Sequence, residues 1–350
     1  MITFAIGLSI VLLLVILFLL FRIGTLASIF RGSSKRAIGT SSTSNKVNGT
    51  LLLLFLILGG AAFAWSFADA WDTMILPLAS VHGDWTDSLF WTTMIVIGIV
   101  FVITQILLFV YAYKYKHDDN KRAYYYSHNN KLEIVWTLIP AVVMALLVFA
   151  GWKTWSKITS AAPQNAEVVE IMGKQFNWLV RYPGADGKLG VARHTLIDAT
   201  NDFGVDFSDR NSLDDIINPL QIHVPKGKPV LLKIRSRDVI HSVFLPHFRV
   251  KMDAVPGMPT KFWFVPTKTT AEMRSETGNP DFNYELACTE ICGRGHFAMR
   301  YVLVVDEPEE YEAWIQSQVP FAEQNPDILA KFPTGTGNSL VAEKSAEEVK

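Results

Sequence analysis

The sequence predicts a four-helix membrane anchor followed by an all-β domain of Greek-key type. Three observations carry that reading. Four long uncharged runs precede residue 155, the pattern changes to short alternating segments after Thr159, and a stretch bearing thiols and an imidazole, CTEICGRGHFAM at 288–299, lies near the end of the β region.

Residues 1–21, 47–68, 88–113 and 134–152 contain no charged side chain. Each is about long enough to cross a hydrocarbon core of roughly 30 Å as a helix. Helices are therefore expected at about 1–21, 48–68, 88–113 and 134–155, within an anchor of residues 1–158. The first run has no basic segment before it and no A-x-A pattern after it, and Arg22 follows rather than precedes it. It reads as a retained helix rather than a signal peptide.

Loop charges orient the anchor. Residues 22–46 carry Arg22, Arg31, Lys35, Arg36 and Lys46 with no acid, which places them in the cytoplasm. Residues 69–87 carry Asp69, Asp72, Asp84 and Asp87 with no base, so they face outward; 114–133, with Lys114, Lys116, Lys121, Arg122 and Lys131, return to the cytoplasm. The fourth helix then delivers everything after Trp152 to the outside. Trp65, Trp71, Trp91, Trp136, Trp152 and Trp155 lie near helix ends, as an interfacial aromatic belt requires.

Beyond Thr159, AEVVEIMGKQFNWLVRY, PLQIHVPKGKPVLLKIRS, HSVFLPHFRVKM, TKFWFVPTK, FNYELACTE and MRYVLVVD read as strands separated by Pro, Gly, Asn and Asp. So many short strands suggest a sandwich or barrel over residues 159–318. The acidic, weakly patterned segment 198–217 reads as an excursion, EPEEYEAWIQSQ as a closing helix, and 319–350 as an extended or disordered tail. A formal net charge of −1 over 350 residues gives no basic footprint for nucleic acid.

The 288–299 stretch carries the chemistry. Cys288 and Cys292, His296 and Met299 are soft donors suited to copper, and the thioether favours copper over zinc. By spacing alone, a disulfide, a zinc site and a copper site all remain open. A blue one-copper site needs a single Cys; doubled thiols could bridge two metals, with a second imidazole from elsewhere, and His241 in RDVIHSVFLPH is the best candidate.

C-x-E-x-C-x3-H-x2-M with an upstream D-V-x-H-S resembles the dinuclear copper (CuA) centre of cytochrome c oxidase subunit II. HNNKLEIVWTLIPAVV resembles the last membrane helix of that family, GKQFNW its aromatic stretch, and KMDAVPGMPTKFWF the segment after its first histidine ligand. The likeness covers roughly residues 90–317. It implies a bacterial inner-membrane, multi-pass subunit with a cupredoxin-like barrel on the periplasmic side. Two coppers would be bridged by Cys288 and Cys292, with His241 and His296 binding one each and Met299 and the Glu290 carbonyl as weak ligands. The Glu290 carboxylate would ligate a magnesium ion shared with subunit I, a hard oxygen donor for a hard cation. His194, His223 and His247 are left unassigned.

The resemblance further implies that electrons pass from a c-type cytochrome, soluble or part of a supercomplex, through CuA to the haem-copper centre of subunit I, which reduces O2 to water and moves protons. The partners implied are subunit I, other oxidase subunits and the lipid bilayer. Phe176 stands where the family's electron-accepting Trp usually stands, so Phe176 and Trp178, expected on one strand face, are both candidates, with Asp238 as a donor-docking acid. Glu133 is equally a helix-start acid or the mouth of a proton path. The family commonly has two membrane helices and this chain shows two more; no C-x-x-C-H occurs, so no haem c domain is fused. A quinol oxidase subunit would lack these ligands, and a copper-delivery protein would hold one labile copper.

The topology has a direct check: a reporter fused after Arg36 is expected in the cytoplasm and one after Gly83 outside. Both on one side would remove the second helix.

Overall fold

The computed structural model describes residues 2–30, 42–118 and 120–331. Two units are distinguished: residues 1–72 with 94–137, and residues 73–93 with 138–350. The helices are α1 (Ile2–Phe30), α2 (Ser42–Asp69), the short α3 (Trp71–Met74), α4 (Val81–Lys114) and α5 (Asn130–Ile158). Among the described residues, Asn45–Asp69, Val81–Lys114 and Asn130–Ile158 are long and apolar enough to cross a membrane, and Leu12–Gly24 is a shorter apolar helical stretch. The basic residues of the first loop, apart from Arg22 and Lys46, lie outside the described residues. In the first unit, α2 lies along α4 through Phe55 and Phe109, with ring centroids 5.8 Å apart, and Phe63 and Phe101 at 6.3 Å.

Among the described residues the second unit contains ten short strands: β1 (Glu167–Lys174), β2 (Asn177–Tyr182), β3 (Ile216–Ile217), β4 (Ile222–Pro225), β5 (Val230–Ser236), β6 (His241–Leu245), β7 (Val250–Ala254), β8 (Thr260–Phe264), β9 (Tyr284–Cys288) and β10 (Arg300–Asp306). They form two five-stranded sheets, β3-β2-β1-β5-β8 and β4-β10-β9-β6-β7. Val169, Ile171, Val230, Leu232 and Ile234 from one sheet meet Val243, Leu245, Tyr284, Leu286 and Leu303 from the other in a single core. α6 (Thr270–Thr277) begins with a Thr269–Glu272 capping box, in which each side chain accepts from the other's backbone N–H. α7 (Pro308–Ser317) closes one side, its Trp314 ring stacked on His223 at 4.3 Å.

Simple inside–outside alternation fails in β1 and β2, whose residues are buried on both faces. The reason is the excursion between β2 and β3, which covers the outer face of that sheet and packs Phe203 and Val205 onto Met172 and Leu179. Arg181, 2 % exposed, sits between the two layers. Its guanidinium lies 2.6 Å from Glu170, its register partner on β1, and 2.7 Å from Asp215, and it also donates to the Gly190 carbonyl. Burial pushes the Asp215 carboxyl up to about 7 despite that guanidinium. The part of the tail expected to be extended instead forms α8 (Phe321–Gln324) and α9 (Pro326–Lys331). Phe321 stacks on Phe207, and its N–H donates to the Asp215 carbonyl, so the tail packs back on the excursion.

The acidic segment 69–87, expected as a plain outer loop, helps to build the β unit. Ala79 donates its N–H to the His247 carbonyl and Val81 to that of Val265, and α4 starts at Val81 rather than near 88. Asp87 accepts a bidentate pair from Arg249, at 2.8 and 3.0 Å, and the same guanidinium donates to the Leu76 carbonyl. Arg249 stands at φ 55°, a left-handed position at the end of a tight turn.

Replacing Arg181 by Met is expected to cost about 3–5 kcal/mol, because it leaves the buried Asp215 carboxylate without a cation and Glu170 with Arg235 alone. Urea unfolding of the β unit in the full chain reads this out, and a midpoint equal to wild type would show that the ion triad contributes nothing.

Candidate metal centre

Two hairpin features bring the soft donors together. Cys288 ends β9, paired with Val243 on β6, and its N–H donates to the Met299 carbonyl at 3.1 Å, closing a loop between β9 and β10. His241 opens β6 and is completely buried. The ligand atoms of His241, Cys288 and Cys292 lie within 4.8 Å of one another, and both cysteines are free thiols. Cys288 Sγ is 3.9 Å from His241 Nδ1 and 3.2 Å from the Glu290 carbonyl oxygen. Cys292 Sγ is 3.7 Å from His296 Nδ1 and 3.9 Å from Met299 Sδ. Two sulfurs, each facing an imidazole nitrogen, with a thioether beside one of them, are a donor set suited to soft metal ions.

The His241 ring is fixed from three sides. Its Nε2–H donates to Asp238 Oδ1 at 2.8 Å; a carboxylate only accepts, so in the neutral ring Nδ1 carries the lone pair turned toward Cys288. Asp238 also accepts from the amides of Gln175 (2.7 Å) and Val239 (2.7 Å). Burial opposes its ionisation, but the Gln175 amide, His241 and the Val239 amide outweigh it and hold the carboxyl below its usual range. On the ring's flank, β1 carries Gly173, where an added Cβ would lie 2.6 Å from His241 Cδ2. Only glycine leaves room.

A cover then forms over the loop. Gln175 Nε2 donates to the Cys292 carbonyl, and the Phe176 ring lies against Gly293 and Gly295, where a Cβ would come within 2.9 and 2.5 Å of it. Gly293 also stands at φ 132°. Beneath, the buried Trp178 donates its Nε1–H to the Met299 carbonyl at 3.4 Å. Burial first, and then the neighbouring Cys288 sulfur, push the Cys292 thiol up to about 11. A metal binding there must displace a proton that the bare site holds firmly.

The other candidates fall elsewhere. Phe176 and Trp178 do not share a face: Phe176 sits in the two-residue turn between β1 and β2 and is half exposed, whereas Trp178 is 1 % exposed. The strand alternation expected of them stops at Lys174↔Asn177. Asp238 is not a free rim acid, since both its oxygens are engaged. Glu290 has an exposed side chain, and only its carbonyl turns toward the thiols. His247 packs edge-on against Phe282 and Tyr284, and burial lowers its pKa to about 4. His223 is 2.6 Å from Asp306, and His194 is exposed on the excursion. Glu133 Oε1 accepts from the Asn129 amide while the Asn129 side chain accepts from Leu132, a helix cap. Gly173 and Gln175 were not singled out from sequence, although both lie in the GKQFNW stretch.

Comparison with known proteins gives one family. Residues 69–153 match the family described as cytochrome c oxidase subunit II, transmembrane domain, and residues 167–306 its periplasmic domain. The alternative cytochrome c oxidase subunit 2 of Bradyrhizobium diazoefficiens is 33% identical over 288 residues, covering 81% of this chain and 98% of the relative. The cytochrome c oxidase subunit 2 of Thermostichus vulcanus is 28% identical over 280 residues, covering 64% of this chain and 72% of the relative. Among solved structures, the periplasmic domain of subunit II of cytochrome oxidase from Bradyrhizobium japonicum is 26% identical, with TM-score 0.31, over 49% of this chain and 99% of that one.

Two substitutions test the support around His241. Asp238→Ala is expected to weaken soft-metal binding by about 10–100-fold in chelator competition, the usual loss when a ligand's orienting partner goes, with Asp238→Asn retaining most of it. Gly173→Ala should displace the ring and weaken metal binding in the same assay; wild-type binding would mean that the close approach does not matter.

Proposed function

The chain belongs to the cytochrome c oxidase subunit II family, and from that premise we propose that Cys288, Cys292, His241, His296, Met299 and the Glu290 carbonyl hold its dinuclear copper centre. Members of the family are subunits of a haem-copper oxidase, an oxidoreductase, with a membrane part and a periplasmic domain, and subunit I is the partner. The observation that carries the ligand assignment is the pairing of each thiol with an imidazole Nδ1. Cys288 and Cys292 would hold copper here together with the two imidazoles, and the chemistry so supplied would be one-electron uptake and release.

The chain's own residues keep that site still. Asp238 fixes the His241 tautomer, Gly173 lets the ring lie flat against β1, and Gln175 ties the Cys292 carbonyl to the β1–β2 turn. Ligands anchored in this way move little when charge arrives, which keeps the reorganisation on electron transfer small. Around the mouth, Phe176, Ile240, Ile291 and Phe297 form an exposed apolar rim, with Ile291 and Phe297 at 85% and 80% exposure. Such a rim suits brief docking of a c-type cytochrome in the periplasm. Phe176 is the electron-accepting ring in this proposal, and Trp178 a buried prop for Met299.

As in the family, an electron accepted here would go on to the haem-copper site of subunit I, where O2 reduction to water and proton translocation would take place. The exposed Glu290 carboxylate, a hard oxygen donor, would be the residue to hold a magnesium ion shared with subunit I. In the inner membrane, α1 joins α2, α4 and α5 as a fourth span, so that residues 1–158 form the anchor and 159–318 the copper domain. Glu133, exposed at the start of α5, lies on the cytoplasmic side, where the family's proton path into subunit I opens.

Cys292→Ser is expected to abolish the mixed-valence electron paramagnetic resonance pattern and the near-infrared absorption of the purified oxidase; two retained coppers with a wild-type spectrum would remove the assignment. Phe176→Ala should slow electron transfer from cytochrome c while the copper spectrum stays intact. Trp178→Ala should disturb the spectrum itself, because its indole props the Met299 carbonyl. A wild-type transfer rate in Phe176→Ala would place the donor elsewhere.

A further inference from the structure

The outer end of α5 carries a groove that neither the copper centre nor the electron path uses. It has a volume of about 740 Å³ and is lined from α5 by Phe149, Trp152, Lys153, Ser156 and Lys157, and across from it by Trp85 of α4 and Trp263 of β8. We propose that this groove seats one anionic phospholipid, its phosphodiester between Lys153 and Lys157 and an acyl chain along Phe149 and Trp152.

The order of residues along the helix matches the order of groups in a lipid. Residues 149, 152/153 and 156/157 recur at helical spacing and share one face. The uncharged run 134–152 ends at Trp152, Lys153 is the first charge after it, and Lys157 follows one turn, about 5.4 Å, further out. That face therefore passes from rings at acyl depth to ammonium groups at headgroup depth, with the Ser156 hydroxyl between them. Trp152 and Trp155, both more than half exposed, mark the level at which indoles sit in a bilayer.

The charge is one-sided. Among the described residues neither lysine has a carboxylate partner; Lys157 lies over the Trp85 ring at 4.6 Å, a contact that leaves its positive charge uncompensated. Two like charges one turn apart repel, and a phosphate between them removes that repulsion. The far wall is rigid: the His82 ring, 2 % exposed, is packed edge-on against both Trp85 (4.8 Å) and Trp263 (4.3 Å). A stiff apolar wall facing a cationic helix face is complementary to a molecule that is apolar along its chains and anionic at its head.

The test uses the intact oxidase in phosphatidylcholine nanodiscs containing a trace of photoactivatable phosphatidylglycerol, with labelled peptides mapped by mass spectrometry. Label is expected on residues 149–160 and on the peptide containing Trp85. Each ammonium near an anionic headgroup contributes about fivefold in affinity, so K153Q/K157Q should lower labelling about 25-fold. K153R/K157R keeps both charges and should keep the label, which separates lost charge from lost folding. Excess inorganic phosphate should not displace the lipid. Labelling unchanged in K153Q/K157Q, equal labelling by photoactivatable phosphatidylcholine, displacement by phosphate, or cross-links from Lys153 to another subunit in place of lipid would each overturn the proposal.

Discussion

The site depends on the burial of one imidazole. His241 must present Nδ1 to the thiols from inside the core, where an unpaired ring N–H would cost about 1–3 kcal/mol. Asp238 accepts that N–H, and three donors hold Asp238 ionised in turn. The same ring needs space on β1, which Gly173 provides by having no side chain. Orientation of the ligand, choice of tautomer and close packing are thus one constraint met by residues 173, 175, 238 and 241.

The two-sheet architecture turns that constraint into a rigid centre. β6 and β9 pair directly, so His241 and Cys288 occupy neighbouring strands of one sheet, and the β9–β10 loop folds back to bring Cys292, His296 and Met299 over them. The opposite sheet contributes the β1–β2 turn as a cover, with Gln175 bonded to the Cys292 carbonyl and Phe176 laid on two glycines of the loop. The thiols and imidazoles therefore come from one sheet and its β9–β10 loop, and the cover over them from the other sheet.

The segments around the barrel follow the same logic of paired charge and shared backbone. Arg181 is sunk between a sheet and its covering excursion, and Glu170, Asp215 and the Gly190 carbonyl make its burial tolerable. Arg249 ties Asp87 and the Leu76 carbonyl to the β unit, so the start of α4 is continuous with the domain that carries the site.

The sequence by itself determined the long apolar runs, the β character of the outer region and the soft-donor stretch 288–299, because these are properties of composition and short spacing. Helix length and side-chain softness act locally, and the residues that express them are neighbours in the chain. His241 was legible as the missing imidazole only through its motif, forty-seven residues before Cys288. Tertiary structure alone decided the rest. Trp178 reads as a surface aromatic beside Phe176, yet the turn at 175–176 breaks the alternation and sends it inward, while Asp238 reads as a free acid until Gln175 and His241 are folded onto it. Gly173 has no chemistry of its own; its role exists only because β6 places a ring 2.6 Å from where its Cβ would be. Contacts of that kind join strands far apart in sequence, and no local pattern encodes them.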